Sequence, residues 1–326
     1  MKVLLIGEAE VLSLCKMPEC IDAMRGAFVS LDKGVVSDPL RTRIAVSETR
    51  NILVMPSLVR DQDAQISLKV VSIYPDIGEG KRAVNATVLL VDGSDGQVRA
   101  VMDGTSLTAL RTGAVSGLSC TYLARRDSKV LGVIGAGGQS FQQVSGVVSG
   151  IGIDTVRVFS RKPEKSRELA RRCETELGVQ ALAVGDVKEC VSGCDVIVAA
   201  TNSRTPVFDG SMVQEGTHVV AIGSFTPDAR EVDSQLISRS SVFVDSKEAC
   251  LAEAGDLLIP INEGVIDAQA IRGELSELAS GRIQGRHDDS EITFFKSVGL
   301  PFEDNVTGWL IYRKALASGR GSWAEI

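Results

Sequence analysis

The sequence predicts an α/β protein in which a doubly wound parallel sheet is joined to a second, α+β domain. Three observations predict it. A glycine turn lies between an apolar strand and a helix, a series of short apolar runs alternates with helical patterns after it, and a differently organised stretch precedes it.

The glycine turn stands in Lys129-Val-Leu-Gly-Val-Ile-Gly-Ala-Gly-Gly-Gln-Ser140, and Phe141 to Val148 then reads as a helix. In Gly135-x-Gly137-x-x-Ser140, Gly135 permits a tight turn and Gly137 lets the backbone approach a pyrophosphate. Ser140 holds the third-glycine position and is small enough for helix and strand to pack. A diphosphate would lie at the helix N-terminus, where free N–H groups and the dipole favour anions. Gly135, Ala136, Gly137, Gly138, Gln139 and Ser140 are therefore candidate cofactor-binding residues. Such a pattern alone also occurs in turns that hold no ligand; its setting gives it weight.

That setting continues with a strand at Asp154 to Phe159 and a helix from Pro163 to Leu177, with proline at a first helical position. Further apolar runs fall at Gln180 to Val184, Asp195 to Ala200, His218 to Ile222 and Ser241 to Asp245. Six strands are the number expected of a complete dinucleotide-binding fold. After the second of them the chain reads Ser160-Arg161-Lys162, with no carboxylate before Glu164. An acid there would suit a ribose 2′-hydroxyl, whereas cations suit a 2′-phosphate. NADP(H) is thus the preferred cofactor, with NAD(H) the alternative; a solvated basic turn would leave the choice open.

At 326 residues and 44% hydrophobic content the chain can fill two domains. A net charge of -7 and the absence of a dense basic tract argue against nucleic acid as a partner. No apolar run approaches membrane-spanning length, and Glu8 and Glu10 interrupt the apolar opening too early for a signal peptide. Seven cysteines without a Cys-x-x-Cys pair read as reduced, buried thiols of a cytoplasmic protein. Two histidines, His218 and His287, leave little for a histidine relay or a histidine-rich metal site, so no metal is expected.

Before the glycine turn, Met17 to Phe28 has helical apolar spacing. Strand-like pieces follow at Asn51 to Met55 and Ile66 to Tyr74, then Ala83 to Val91 and Gln97 to Met102 flanking the turn Asp92-Gly-Ser-Asp-Gly96. Residues 1–115 form the α+β unit, of a kind that supplies the substrate side of a two-domain dehydrogenase. Lys69 interrupts the apolar strand Ile66 to Ile73. Either it faces outward or, buried, it requires a counter-charge or an anionic ligand. Arg111 sits in a helix of unusually small neighbours, Ser106 to Gly117, aimed at a ligand or held in a surface salt bridge. Arg41 and Arg43 alternate in Pro39-Leu-Arg-Thr-Arg-Ile44 and would share one side of a strand. Together these cations suit a carboxylate-bearing substrate.

Several motifs in order then carry a resemblance over nearly the whole chain: Val54-Met-Pro56, Leu68-Lys-Val70, Ala100-Val-Met-Asp-Gly104, Leu110-Arg-Thr-Gly-Ala-Val-Ser116, Gly135-Ala-Gly137, Arg230-Glu231 and Glu291-Ile-Thr-Phe-Phe-Lys-Ser-Val-Gly299. The chain resembles the ornithine cyclodeaminase/μ-crystallin family. That resemblance implies a homodimer whose substrate-binding and dimerisation domain comprises residues 1–115 with 300–326, and an NAD(P)-binding domain of residues 116–299. It places Lys69 as the catalytic group and Arg111 with Arg41, or Arg43, on the substrate carboxylate. Phe302, Val306, Trp309 and Leu310 would form one apolar helical face returning to the first domain. Thr112, Thr201-Asn202-Ser203, Ile222-Gly223-Ser224 and Ser297 correspond to further cofactor contacts, with Val298 near substrate and nicotinamide.

One departure separates the chain from the cyclodeaminases it resembles. Their Gly-x-Asp-x-Pro-Gly-Lys run corresponds to Gly223-Ser-Phe-Thr-Pro-Asp-Ala-Arg230, so Phe225 stands where their proton-handling aspartate stands, and Asp228 lies three positions on. Phenylalanine transfers no proton. The run is more similar to the ketimine and Δ1-pyrroline-2-carboxylate reductase members. The expected activity is NADPH-dependent reduction of a five- or six-membered cyclic imine 2-carboxylate, with Phe225 as an apolar wall beside the ring. The rival readings are an ornithine cyclodeaminase, an alanine or N-alkyl amino acid dehydrogenase, and an NADPH-gated binding protein.

Overall fold

The structure, a computed structural model, describes residues 1–61, 63–74, 77–78 and 82–325. It divides into two compact units, Met1–Arg111 with Leu300–Ile326, and Thr112–Gly299.

The second unit is built on an eight-stranded sheet whose strand pairs are all parallel. Across it the strands run Gln180–Ala183, Thr155–Phe159, Val130–Ile134, Val196–Ala199, His218–Ala221, Thr293–Lys296, Ser241–Val244 and Ile271–Glu274. The order reverses between Val130–Ile134 and Val196–Ala199, the switch point at which doubly wound sheets bind ligands. Two strands exceed the six expected. Thr293–Lys296 is inserted between His218–Ala221 and Ser241–Val244, and Ile271–Glu274 extends the edge. Both escape the apolar-run rule because they are four residues long and carry charges, Lys296 in one and Arg272 and Glu274 in the other. The central strands Val196–Ala199, His218–Ala221 and Thr293–Lys296 are buried throughout, as a sheet covered on both faces requires.

The glycine helix runs Ser140–Ile151, longer than the Phe141 to Val148 predicted. It crosses the helix Gly104–Leu123 at backbone contact, through small residues on both. A Cβ at Gly146 would stand 1.8 Å from the Gly113 carbonyl oxygen, and one at Gly150 2.6 Å from that of Gly117. The small residues after Arg111 therefore serve a helix crossing within this unit. Gly146→Ala should lower stability by about 2–3 kcal/mol, because neither backbone can give way; the midpoint of urea unfolding checks it.

The first unit is a mixed sheet ordered Ser322–Glu325, Lys2–Ile6, Val98–Asp103, Val84–Asp92, Ala64–Ile73, Asn51–Arg60 and Val36–Ser37, with Thr42–Ala45 also on Asn51–Arg60. The apolar opening of the chain is thus a strand, parallel to Val98–Asp103. Its long strands alternate buried and half-buried residues, so one face is covered and the other open. Helices Met17–Asp32 and Pro301–Ser318 pack together, the Phe28 and Phe302 rings edge to face with centroids 5.1 Å apart. Asn305 Nδ2 donates to the carbonyls of Ser57 (3.1 Å) and Gln65 (2.9 Å), pinning the second of these helices to the sheet. Its buried side differs from the one predicted. Phe302 and Trp309 are buried, Val306 and Leu310 are half-buried, and Glu303, Asp304, Asn305 and Thr307 are wholly inside.

Candidate functional site

In the second unit the candidate cofactor residues gather at the C-terminal ends of the strands. Gly135 takes φ 107°, a conformation that L side chains rarely adopt. A Cβ there would also meet the Ala200 carbonyl at 2.4 Å. At Gly137 and Gly138 a Cβ would meet no protein atom within 4 Å. Packing therefore does not account for glycine at those two positions. The helix Ser140–Ile151 begins at Gln139 without a side-chain cap, leaving N-terminal N–H groups for an anion. Ala136 lies between Gly135 and this cradle. Ser140 is fully buried and its hydroxyl accepts from the Gly137 N–H at 2.9 Å. These residues fit a dinucleotide diphosphate.

Ser160, Arg161 and Lys162 follow the neighbouring strand. Ser160 Oγ accepts from the Lys162 N–H at 3.1 Å, closing a turn that leaves both cations exposed. Arg161 makes no hydrogen bond or ion pair among the described residues.

The loops after the fourth and fifth strands are clipped together by Glu231, which is fully buried. Its Oε1 accepts from the Thr201 N–H (2.6 Å) and hydroxyl (2.7 Å), and its Oε2 from the Gly223 N–H (2.6 Å). Gly223 lies so close to Thr201 that a Cβ would stand 1.9 Å from the Thr201 carbonyl oxygen. Lys296 closes the arrangement from the inserted strand, reaching Asp256 (2.8 Å) and the Ser224 carbonyl (2.6 Å). Burial pushes the Glu231 carboxyl up, with Lys296 opposing and Asp256 adding to it. Burial works against the Lys296 charge, but Asp256 and Glu231 outweigh it and raise its pKa. Ser203 and Asn202 continue from Thr201, the Ser203 N–H donating to the Thr201 hydroxyl at 3.2 Å. Ile222 N–H bonds the Ala199 carbonyl at 3.1 Å. Beside them, buried Asp245 accepts from Ser297 Oγ and from the Val298 and Gly299 N–H groups, each at 2.8 Å. Phe225 is 38% exposed. Asp228 is exposed and paired with Arg204, with no role in proton transfer suggested by that position. His218 is a core residue, driven down to about 3 by burial and the Arg286 charge, and bonded to Thr293 Oγ1 at 2.9 Å.

The first unit resolves the question of Lys69. Its side chain is 2% exposed, and its ammonium donates to Asp304 Oδ2 and, at 3.4 Å, to Thr108 Oγ1. Arg111, also buried, donates through Nε to Asp304 Oδ1 at 3.2 Å and through Nη1 to Glu303. Neither cation is on the surface; two lie against two carboxylates from the first turn of Pro301–Ser318. Burial lowers Lys69 to about 8, the Asp304 charge opposing and those of Arg111 and Arg41 adding to the drop. Burial would raise Asp304, but Arg111 and Lys69 prevail and hold it below the usual carboxylate range. A lysine near 8 can donate a proton at neutral pH and exist neutral just above it.

Arg41 and Arg43 do not alternate along one strand as predicted. The strand is Thr42–Ala45, so Arg41 precedes it, in the non-strand stretch 38–41 between the two short strands that lie on Asn51–Arg60. Arg43 donates to Asn51 Oδ1 at 2.7 Å on an exposed face, while the charge of Arg41 is felt at Lys69. Thr112, next to Arg111, is buried. Glu303, Asp304 and the clip formed by Glu231, Asp256 and Lys296 are the functional candidates that sequence reasoning missed. Two of them, Glu231 and Lys296, lay inside motifs that gave them no role, and Lys69 was the signal for the acids: a lysine in an apolar strand demands one. Among the described residues no cluster of His, Cys, Asp or Glu could hold a metal, and no helix is long and apolar enough to cross a membrane.

A model of the ornithine cyclodeaminase/mu-crystallin family matches residues 2–319. The Δ1-pyrroline-2-carboxylate reductase of Bacillus cereus is 36% identical over 326 residues, 99% of this chain and 100% of that one. The structure of the Thermococcus litoralis Δ1-pyrroline-2-carboxylate reductase in complex with NADH and L-proline superposes with a TM-score of 0.95 at 40% identity, covering 98% of this chain and 99% of that one. An archaeal alanine dehydrogenase dimer with bound NAD gives a TM-score of 0.93 at 30% identity over all of both chains.

Proposed function

Because the chain belongs to the ornithine cyclodeaminase/mu-crystallin family, we propose that it is a nicotinamide-dependent reductase of a cyclic imine 2-carboxylate, Δ1-pyrroline-2-carboxylate giving proline before Δ1-piperideine-2-carboxylate giving pipecolate. The observation that carries the reading is the buried cluster of Lys69, Arg111, Glu303 and Asp304. Arg111, with Arg41, holds the substrate carboxylate; Lys69 gives its proton to the ring nitrogen and is left neutral. The nucleotide, when bound, supplies the hydride that the imine carbon takes. Gly135 to Ser140, Thr201 to Ser203, Ile222 to Ser224 and Ser297 bind and orient it, Thr112 and Val298 add contacts, and Phe225 gives the ring an apolar neighbour. The lack of an acid at position 225 argues against the cyclodeaminase reading.

Rates of nucleotide oxidation with five- and six-membered imine carboxylates, NADPH and NADH in parallel, test the proposal; ammonia release from ornithine without added nucleotide would overturn it. With Lys69 as donor, kcat is flat below about 8 and falls as pH rises through that value, because the ammonium disappears.

NADPH is the preferred cofactor on the strength of the exposed Arg161 and Lys162 after the second strand. The Thermococcus relative holds NADH, which makes the choice a sharp test. Arg161→Ala should raise KM for NADPH roughly tenfold and leave KM for NADH nearly unchanged; equal KM shifts for both would oppose the assignment.

The enzyme is proposed to act as a homodimer through the open face of the first unit, where Val54, Leu58, Ile66, Leu68 and Val70 are half-buried. The seven unpaired, buried thiols suit the reducing cytoplasm.

A further inference from the structure

We propose that Asp304 is the positioning residue of the proton donor: its carboxylate holds the Lys69 ammonium in place and keeps it charged for transfer to the substrate nitrogen. The inference rests on the reductase reading and deepens it. Asp304 is wholly buried and spends its two oxygens on different partners, Oδ2 on Lys69, Oδ1 on Arg111 Nε at 3.2 Å and Thr108 Oγ1 at 3.4 Å. One side chain therefore sets the spacing between the group that gives the proton and the group that holds the carboxylate.

The charges facing Lys69 show why this partner matters. Strand Ala64–Ile73 presents the lysine; helix Gly104–Leu123 presents Arg111 and Thr108, helix Pro301–Ser318 presents Glu303 and Asp304, and the segment before Thr42 contributes Arg41. Asp38 adds a carboxyl beyond Asp304, where it accepts from the Phe302 N–H at 2.8 Å. Glu303 is engaged by Arg111. Without the Asp304 charge, Lys69 would be buried beside two guanidinium groups, and burial and repulsion would both drive the proton off. Asp304 remains bonded to Arg111 when Lys69 turns neutral, so its carboxylate need not move during the proton transfer, and the lysine is recharged where it stood.

Asp304→Asn keeps the size and an acceptor but removes the charge. With the imine substrate at saturation, kcat at pH 7 should fall roughly a hundredfold, about tenfold through lost positioning and about tenfold because the alkaline fall in kcat moves to lower pH by about two units. Nucleotide binding, followed by fluorescence quenching, should stay unchanged. Asp304→Glu keeps the charge in a displaced position; its alkaline limb should coincide with that of the wild type while kcat drops about tenfold. A limb that stays in place in Asp304→Asn assigns the residue a purely structural part and overturns the proposal, as does an unchanged kcat in Asp304→Glu, which decides the matter if the asparagine variant does not fold. A wild-type enzyme inert towards every cyclic imine carboxylate overturns the reductase reading instead.

Discussion

Lys69→Met is expected to lower kcat for imine reduction about a thousandfold, the middle of the range for losing a general acid. Methionine fills the volume of the lysine stem but leaves the buried Asp304 one ion pair, to Arg111, where it had two, so stability should fall by about 3 kcal/mol. Turnover should fall far more than the lowered unfolding midpoint explains: on folded protein KM for the nucleotide is unchanged, and the alkaline limb of the pH profile vanishes. Steady-state rates between pH 6 and pH 10 check this directly. A variant that keeps near-full kcat removes Lys69 from the chemistry.

The second large effect lies in the other unit. Glu231→Ala should cost about 3 kcal/mol or more, because it strands partners inside the protein. The Thr201 and Gly223 N–H groups lose their acceptor, and Lys296 keeps Asp256 alone. The same change should weaken nucleotide binding at least tenfold, since Thr201 to Ser203 and Ile222 to Ser224 are held by that carboxylate. Glu231→Gln separates the two roles: it can still accept through one oxygen and should recover part of the binding. Denaturant unfolding and nucleotide titration on the same samples read both quantities.

The open sheet face of the first unit carries a further expectation. Leu68→Glu places a charge among Val54, Ile66 and Val70 and should yield a monomer in sedimentation, with nucleotide binding retained. A dimer of unchanged stability would move the association to another surface.

What could be read from residues alone follows from how local each signal was. Gly135, the strand before it and the helix after it declare themselves because turn, period and spacing all sit within the one stretch from Val130 to Ile151. Thr293–Lys296 does not, for it is four residues long and carries a lysine into the middle of a buried sheet, which Asp256, Glu231 and the Ser224 carbonyl make tolerable. Lys69 announced a need for an acid, but not its address. Glu303 and Asp304 stand some 230 positions away in the first turn of a helix, where acids are ordinary because they complement the dipole. The same pairings explain why the apolar face drawn through Phe302, Val306, Trp309 and Leu310 was too narrow. Arg41 was misplaced for a smaller reason: an alternating pattern does not say where strand pairing begins.

Residue 296 also has a consequence for biosynthesis. Its strand is the sixth of eight by position but the last of that sheet along the chain, so Ser241–Val244 cannot be stitched to His218–Ala221 until residue 296 has left the ribosome. The amino-terminal half waits longer still for the carboxyl-terminal helix and for Ser322–Glu325, which seals Lys2–Ile6. A chain cut short at residue 290 should therefore leave both halves unfinished, and ribosome-bound intermediates of this length should be sensitive to protease where the released protein is resistant.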